Sequence, residues 1–201
     1  MLAQAEIARI EAALRAAQAR SSGQIVCVLA RASSHYELAP LIWSALIALA
    51  APWPLLVFTE LAAERIFVAQ LAIFVVAVGL LSLPGVRLRL SPARARRSYA
   101  HRAALEQFMI RGVAHCAERN GILIYVSLAE RYARIIADDG AAKAIAHSQW
   151  KAVVDRLTGA MKSGATGDAL IAAATECGGL LAQHFPARAS SAPIFQRFYT
   201  L

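Results

Sequence analysis

Two apolar runs, Ala39–Phe58 and Ile66–Val86, contain no Asp, Glu, Lys or Arg. Each has about 20 residues, and at 1.5 Å per residue a helix of that length crosses the roughly 30 Å hydrocarbon core of a bilayer. Only Thr59–Arg65 separates them, so the pair is predicted to form a transmembrane helical hairpin over residues 39–86. Buried helices of soluble proteins rarely extend so far without a charge, which disfavours two core helices. Pro52 and Pro54 are expected to kink or loosen the end of the first span, because a proline ring removes an amide donor and crowds the preceding turn. Trp43 and Trp53 are candidates for interfacial depth. With no ionisable group inside either run, a proton relay or ion path has no support, and the hairpin reads as an anchor. Small residues (Ala45, Ala48 and Ala51, or Ala69, Ala72 and Gly79) would suit close helix–helix contact, or simply face lipid.

Charge follows the same plan. The chain has 21 Lys+Arg against 13 Asp+Glu, a formal charge of +8, yet residues 87–119 hold eight arginines against only Glu106 and Glu118. A basic cluster directly after a span is a topology signal, and it also suits anionic lipid. Arg87, Arg89, Arg94, Arg96 and Arg97 are therefore the expected lipid- or partner-binding residues, with Arg102 continuing the series. By the positive-inside rule both termini and the globular part face the cytoplasm, at a bacterial-type inner membrane. The lipid bilayer is the first expected partner. No nucleic-acid recognition motif accompanies the arginines, so nucleic acid is not expected. An apolar fraction of 58% with 17% charged residues excludes intrinsic disorder. Cys27, Cys116 and Cys177 are far apart, without CxxC or Cys/His pairing, and read as reduced thiols. The first 20 residues lack the apolar stretch of a signal peptide.

Outside the hairpin the pattern alternates. Ile7, Ile10 and Leu14 give a helical stripe that stops at Ser21-Ser22-Gly23, and Gln24–Ala30 is an apolar, β-branched strand candidate. Ser98–Arg119 reads as a helix with Leu105, Phe108, Met109, Val113 and Cys116 on one face. Ile122–Leu128 and Arg131–Ala137 form a predicted β-hairpin turning at Ala129-Glu130. Helices are expected from Ala141 to about Leu157, with Trp150, Val153 and Val154 inward, and from Asp168 to His184. The expected fold class is α/β: a small layer of three or four strands under helices, interrupted by the two-helix hairpin. Residues 1–38 and 98–186 make one cytoplasmic domain, 87–97 a basic juxtamembrane connection, and 187–201 a tail.

Polar chemistry is sparse. Asp138-Asp139-Gly140 at a strand end is the sharpest feature, and adjacent carboxylates there suit acid–base work or a divalent cation. The alternative is a turn and helix N-cap in which Gly140 supplies an unusual φ. Glu130 and Arg131 read as a solvated pair at a hairpin turn. His35, His101, His115, His147 and His184 form no metal-binding spacing. Ser163–Gly167 lacks the ending of a phosphate loop and reads as a linker between helices.

The order of short motifs resembles one known family. Ala17-Gln18-Ala19-Arg20-Ser21-Ser22-Gly23-Gln24-Ile25-Val26, then Gly121–Ser127 with Glu130-Arg131, then Arg134–Gly140, Trp150 and the Lys162–Leu170 segment, are similar to the TPM domain. The resemblance spans residues 5–38 and 98–186. It implies a compact α/β fold, association with membranes and, in relatives from photosynthetic organisms, a part in photosystem II repair with acid phosphatase activity. Two positions depart from the family pattern: Gln18 and Gln24 stand where it commonly has Glu, which removes charge that a metal or acid–base pair would use. The expected function is a membrane-anchored accessory, assembly or maintenance protein docking its domain on a larger respiratory or photosynthetic complex. Two alternatives remain. One is a phosphatase using Asp138 and Asp139 with a divalent cation, and the other is an anionic-lipid-binding module.

Overall fold

The computed structural model describes residues 3–33, 38–59, 62–83, 85–86, 90, 92–115, 118–187 and 197–201. Arg87, Arg89, His35, Glu60 and Cys116 lie outside the described residues. The chain divides into two compact units, Met1–Ser33 with Arg97–Leu201, and Ser34–Arg96.

In the larger unit, α1 (Gln4–Ala19) leads into β1 (Ile25–Ala30). Further along the chain come α5 (Ala93–Ile110), whose first four residues fall in the smaller unit, a short 3₁₀ turn (Val113–His115), β2 (Ile122–Ser127) and β3 (Tyr132–Ala137). Helices α6 (Asp139–Ala144), α7 (His147–Lys162) and α8 (Thr166–His184) follow, and β4 (Phe198–Thr200) closes the chain. The four strands order as β3-β2-β1-β4. β1 runs parallel to β2, with Ile25 opposite Ile122, and parallel to β4, with Cys27 opposite Phe198. β3 is antiparallel to β2, Tyr125 facing Arg134.

All six residues of β1 and all six of β2 are buried, which is why both read as unbroken apolar runs. Ile25, Cys27, Leu29, Ile122, Ile124 and Val126 share a core with Ile10 and Leu14 of α1, Trp150 and Leu157 of α7, and Leu170 and Leu181 of α8. The alternate residues Val26, Val28, Leu123 and Tyr125 pack instead with Ala104 and Phe108 of α5 and with Val113. Each fully buried Ile, Leu or Val contributes about 1.5–3 kcal/mol, so both layers matter to the fold. α1 and α8 cross closely at small residues: a Cβ placed on Gly178 would fall 2.5 Å from the Ala17 Cβ.

Several expectations are corrected. Residues 187–201 are not merely a tail, since β4 extends the sheet: Cys27 N–H donates to the Arg197 carbonyl at 2.7 Å and Leu201 N–H to that of Leu29 at 2.9 Å. Helix α5 stops at Ile110 rather than Arg119, because Gly112 adopts φ +68 and turns the chain. Its buried stripe is Ala100, Ala104 and Phe108, so Leu105 and Met109 face outward. The helix expected from Ala141 to Leu157 is two helices, parted where Ile145 turns extended (φ −115, ψ 124) and buries its side chain.

The smaller unit holds α2 (Leu38–Ala50), α3 (Pro52–Phe58) and α4 (Ala63–Leu81). The break between α2 and α3 falls directly before Pro52 and Pro54, where two ring nitrogens cannot donate to preceding carbonyls. α4 begins and ends earlier than the apolar run, with Glu64 in its first turn and Ser82 as its C-cap ahead of Pro84. α2 and α4 pack side by side, Ala45, Ala48 and Leu49 lining one shallow hollow with Phe67, Gln70, Leu71 and Phe74. Ala39–Phe58 and Ala63–Leu81 are both long and apolar enough to cross a membrane, and only 11% of each is buried.

Candidate functional site

The starts of β1 and β2 and the end of β3 meet at one edge of the sheet, and the predicted carboxylates lie there. Asp138 follows β3 in extended conformation (φ −69, ψ 164) and caps α6, its Oδ1 accepting the Asp139 N–H at 2.8 Å. The side chain is 4% exposed, whereas Asp139 projects outward with 71% of its side chain exposed. The two carboxylates therefore form no symmetric pair.

Arg119 joins them. Its Nε donates to Asp138 Oδ1 at 3.1 Å and its Nη2 to Asp139 Oδ2 at 2.7 Å. Arg119 takes φ +52, and its carbonyl accepts the Gly140 N–H at 2.8 Å and the Ala141 N–H at 3.2 Å. Gly140 is required for space and not for an unusual φ, contrary to expectation. A Cβ there would lie 2.6 Å from the Glu118 carbonyl oxygen and 2.7 Å from that of Arg119. Beside this arch, the buried Asn120 side chain donates to Ser22 Oγ at 3.3 Å and to Glu118 Oε2 at 3.1 Å, and Ser22 Oγ donates to the same Oε2 at 3.1 Å. Arg119, Asn120, Ser22 and Glu118 were missed as site residues. Only Asn120-Gly121 before a strand signalled a special turn.

One atom of this edge stays unsatisfied. Asp138 Oδ2 is buried and has no hydrogen-bond partner among the described residues. A buried carboxylate oxygen left so is costly, and a cation or a water would satisfy it. Among the described residues no three His, Cys, Asp or Glu side chains converge as metal ligands. A divalent cation at Asp138 would thus have few carboxylate or imidazole ligands around it.

A second polar cluster lies where β1 and β2 end. Glu130 does not pair with Arg131 as expected. Its carboxylate accepts the Ser33 N–H at 3.0 Å, the Ser33 hydroxyl at 3.3 Å and the Ser127 hydroxyl. Ser33 Oγ also lies 3.0 Å from Tyr125 Oη. Burial raises the Tyr125 pKa, partly opposed by that hydrogen bond. Arg131 takes φ +49 at the turn, which frees Glu130 to face the segment leaving β1. The cluster is a clasp between that segment and the β2–β3 hairpin.

Of the expected lipid-facing arginines, Arg94 and Arg97 are exposed on the first turns of α5 and Arg96 is half-buried. Trp43 and Trp53 are 47% and 76% exposed on α2 and α3. Cys27 and Cys177 are free and buried, and burial pushes the Cys27 thiol up to about 12.

Comparison with known proteins bears on the fold. Residues 86–180 match the model of the TPM domain. That stretch takes in β2, β3, the Asp138 edge and α7, while β1 precedes it and pairs into the same sheet. The fold resembles the NMR structure of BA42 protein from the psychrophilic bacterium Bizionia argentinensis, with a TM-score of 0.61 at 15% identity, covering 100% of this chain and 96% of that one. No curated protein matches the sequence.

Proposed function

We propose that this chain is a membrane-anchored accessory protein that presents its TPM domain at the cytoplasmic face of an inner membrane and docks it on a larger membrane protein complex. The observation that carries the reading is the smaller unit. It contains two outward-apolar helical segments of membrane-crossing length, Ala39–Phe58 and Ala63–Leu81, charged only at Glu64 and Arg65 at the start of the second, between two strands that are hydrogen-bonded neighbours. Exposed side chains such as Leu49 (69%), Phe58 (83%) and Phe67 (68%) have no reason to face water in a stable protein. Bilayer insertion satisfies them, and it leaves the α/β layer tethered rather than free. The eight arginines after the second span favour a cytoplasmic domain. Carbonate washing should leave the full chain in the membrane fraction, and a native gel in mild detergent should show it in a defined large assembly. Release by carbonate refutes the anchor, and migration as a lone polypeptide refutes the docking role.

One observation favours a second reading, cation-dependent phosphoester hydrolysis, namely the orphaned Oδ2 of Asp138. Mg²⁺ bound there would raise the unfolding midpoint by mass action, and Asp138→Asn would abolish that rise. A midpoint indifferent to Mg²⁺ in the parent chain removes this reading.

A further inference from the structure

Helix α5 covers the sheet with one stripe, and its opposite stripe is exposed among the described residues. Ala100, Ala104 and Phe108 face the core. On the far side Arg94, Ser98, Arg102, Leu105 and Met109 follow helical spacing and are all exposed, Leu105 by 43% and Met109 by 61%. Ile110, 69% exposed, extends the apolar end. The helix carries four arginines and a single acidic residue, Glu106. Arg94, Arg96, Arg97 and Arg102 make no ion pair among the described residues. Arg111, just beyond the helix, is engaged elsewhere, bonded to Gln107 and lying over the Tyr199 ring.

An outward stripe that mixes long aliphatic side chains with unpaired arginines is ill suited to water and ill suited to a dry protein core. It suits the headgroup layer of an anionic bilayer, where guanidinium groups meet lipid phosphates and the Leu and Met side chains reach the acyl boundary. Chain length adds to the argument. α4 ends at Leu81 and α5 begins at Ala93, so the stripe follows the second span closely in sequence. We propose that the outer stripe of α5 (Arg94, Arg102, Leu105, Met109) is a lipid-binding surface for anionic phospholipid headgroups. It would hold the TPM domain against the membrane instead of leaving it on a loose leash. The inference rests on the hairpin being the anchor, and it goes further by assigning a face of the soluble domain to the bilayer.

The test uses the full chain reconstituted in nanodiscs. Met109→Cys in a Cys116→Ala background carries an environment-sensitive fluorophore, Cys27 and Cys177 being buried. In phosphatidylcholine with about 30% phosphatidylglycerol the probe should be quenched by doxyl-labelled lipid. It should lose that quenching in pure phosphatidylcholine and in about 1 M salt, where the screening length falls to about 3 Å. Arg94→Gln with Arg102→Gln should lower the docked-to-undocked ratio about thirty-fold, at about 1 kcal/mol for each arginine near an anionic surface. The same probe at Thr175→Cys, on the exposed part of α8, should stay unquenched throughout. Equal quenching with and without phosphatidylglycerol, or a blue-shifted probe that lipid does not quench, overturns the proposal, the latter indicating a protein on this face. A chain that fails to enter nanodiscs refutes the anchor itself and is scored separately by its carbonate release.

Discussion

Gly140→Ala is the sharpest test of the edge at Asp138. In a helix, alanine normally gains about 1 kcal/mol over glycine. Here the added Cβ would meet two backbone carbonyl oxygens at 2.6 and 2.7 Å, well inside the roughly 3.3 Å at which carbon and oxygen make contact. Neither obstacle is a flexible side chain, so the 118–120 loop must retreat. Retreat weakens the bonds from Gly140 N–H and Ala141 N–H to the Arg119 carbonyl, at 2.8 and 3.2 Å, each worth about 1 kcal/mol net. Overpacking adds about 1–3 kcal/mol. After the propensity gain is subtracted, a loss of about 2–4 kcal/mol is expected if both bonds are lost. Pulsed thiol labelling in urea, again in the Cys116→Ala background, reads it directly, because Cys27 and Cys177 become reactive only when the α/β layer opens. Gly179→Ala is the reference: nothing lies within 4 Å of its added Cβ, and it should be neutral or up to about 1 kcal/mol more stable. If Gly140→Ala matches Gly179→Ala, the close approach of the loop is wrong, and with it the placement of Arg119 on the carboxylates.

Gly178→Ala, one residue before that reference, should destabilise by about 1–3 kcal/mol in the same assay, since its Cβ would strike Ala17 at 2.5 Å; stabilisation would mean that α1 and α8 are not in contact there. Arg119→Ala strips Asp138 and Asp139 of their shared partner and should cost about 1–3 kcal/mol, whereas Arg119→Lys should recover part of it; equal losses would point to the backbone and not the guanidinium. The buried thiols predict an alkaline limb. Cys27 has its pKa raised from 9.0 to about 12 and Cys177 is raised too, so above pH 9 the unfolded chain releases protons that the folded chain keeps. Stability is then fully present below pH 9 and falls by about 1.4 kcal/mol per pH unit for each thiol as pH rises towards the folded value. Urea midpoints at pH 8, 9 and 10 measure it, and a Cys27→Ala slope equal to that of the parent would refute burial as the cause.

How much of this was legible depended on whether each feature is local. β1 and β2 could be read from Ile25–Ala30 and Ile122–Ser127 because burial on both faces makes a strand apolar throughout. Likewise, the β2–β3 hairpin and the linker at Gly164, which takes φ +85, follow from short-range turn chemistry. β4 was missed because Phe198-Tyr199-Thr200 is too short to show a period, and only the facing edge of β1 makes it a strand. The inward face of α5 was misjudged for a related reason. Leu105 and Met109 outweigh Ala100 and Ala104 in hydrophobicity, but the helix lies close to the sheet and small residues permit that approach. At the candidate site Asp138 and Asp139 were visible as a dipeptide. Arg119 was not, being 19 residues from Asp138 in sequence and brought to it by strand pairing.

The place of the hairpin in the chain also has a physical reason. β1 and β2 are parallel neighbours, and parallel strands cannot be joined by a tight turn; the chain must leave the sheet and return by a crossover. In this protein α5 is the crossover's sheet-covering helix, packing Ala104 and Phe108 on Val26 and Leu123. The sheet requires that helix, but it sets no upper limit on what lies between Ala30 and Ala93. Loop-closure entropy grows only with the logarithm of length, so each doubling of the connection costs about 0.6 kcal/mol. A preformed helical pair whose ends are close costs less still. The β1–α5 connection is therefore a point where a pair of apolar helices long enough to cross a membrane can enter without disturbing the pairing of Ile25 with Ile122. If that is the logic, replacing residues 39–86 by a short Gly/Ser linker should leave the α/β layer folded, with its urea midpoint within about 1 kcal/mol of the parent, while abolishing membrane retention. Loss of the folded layer in that variant would show that the helices support the sheet.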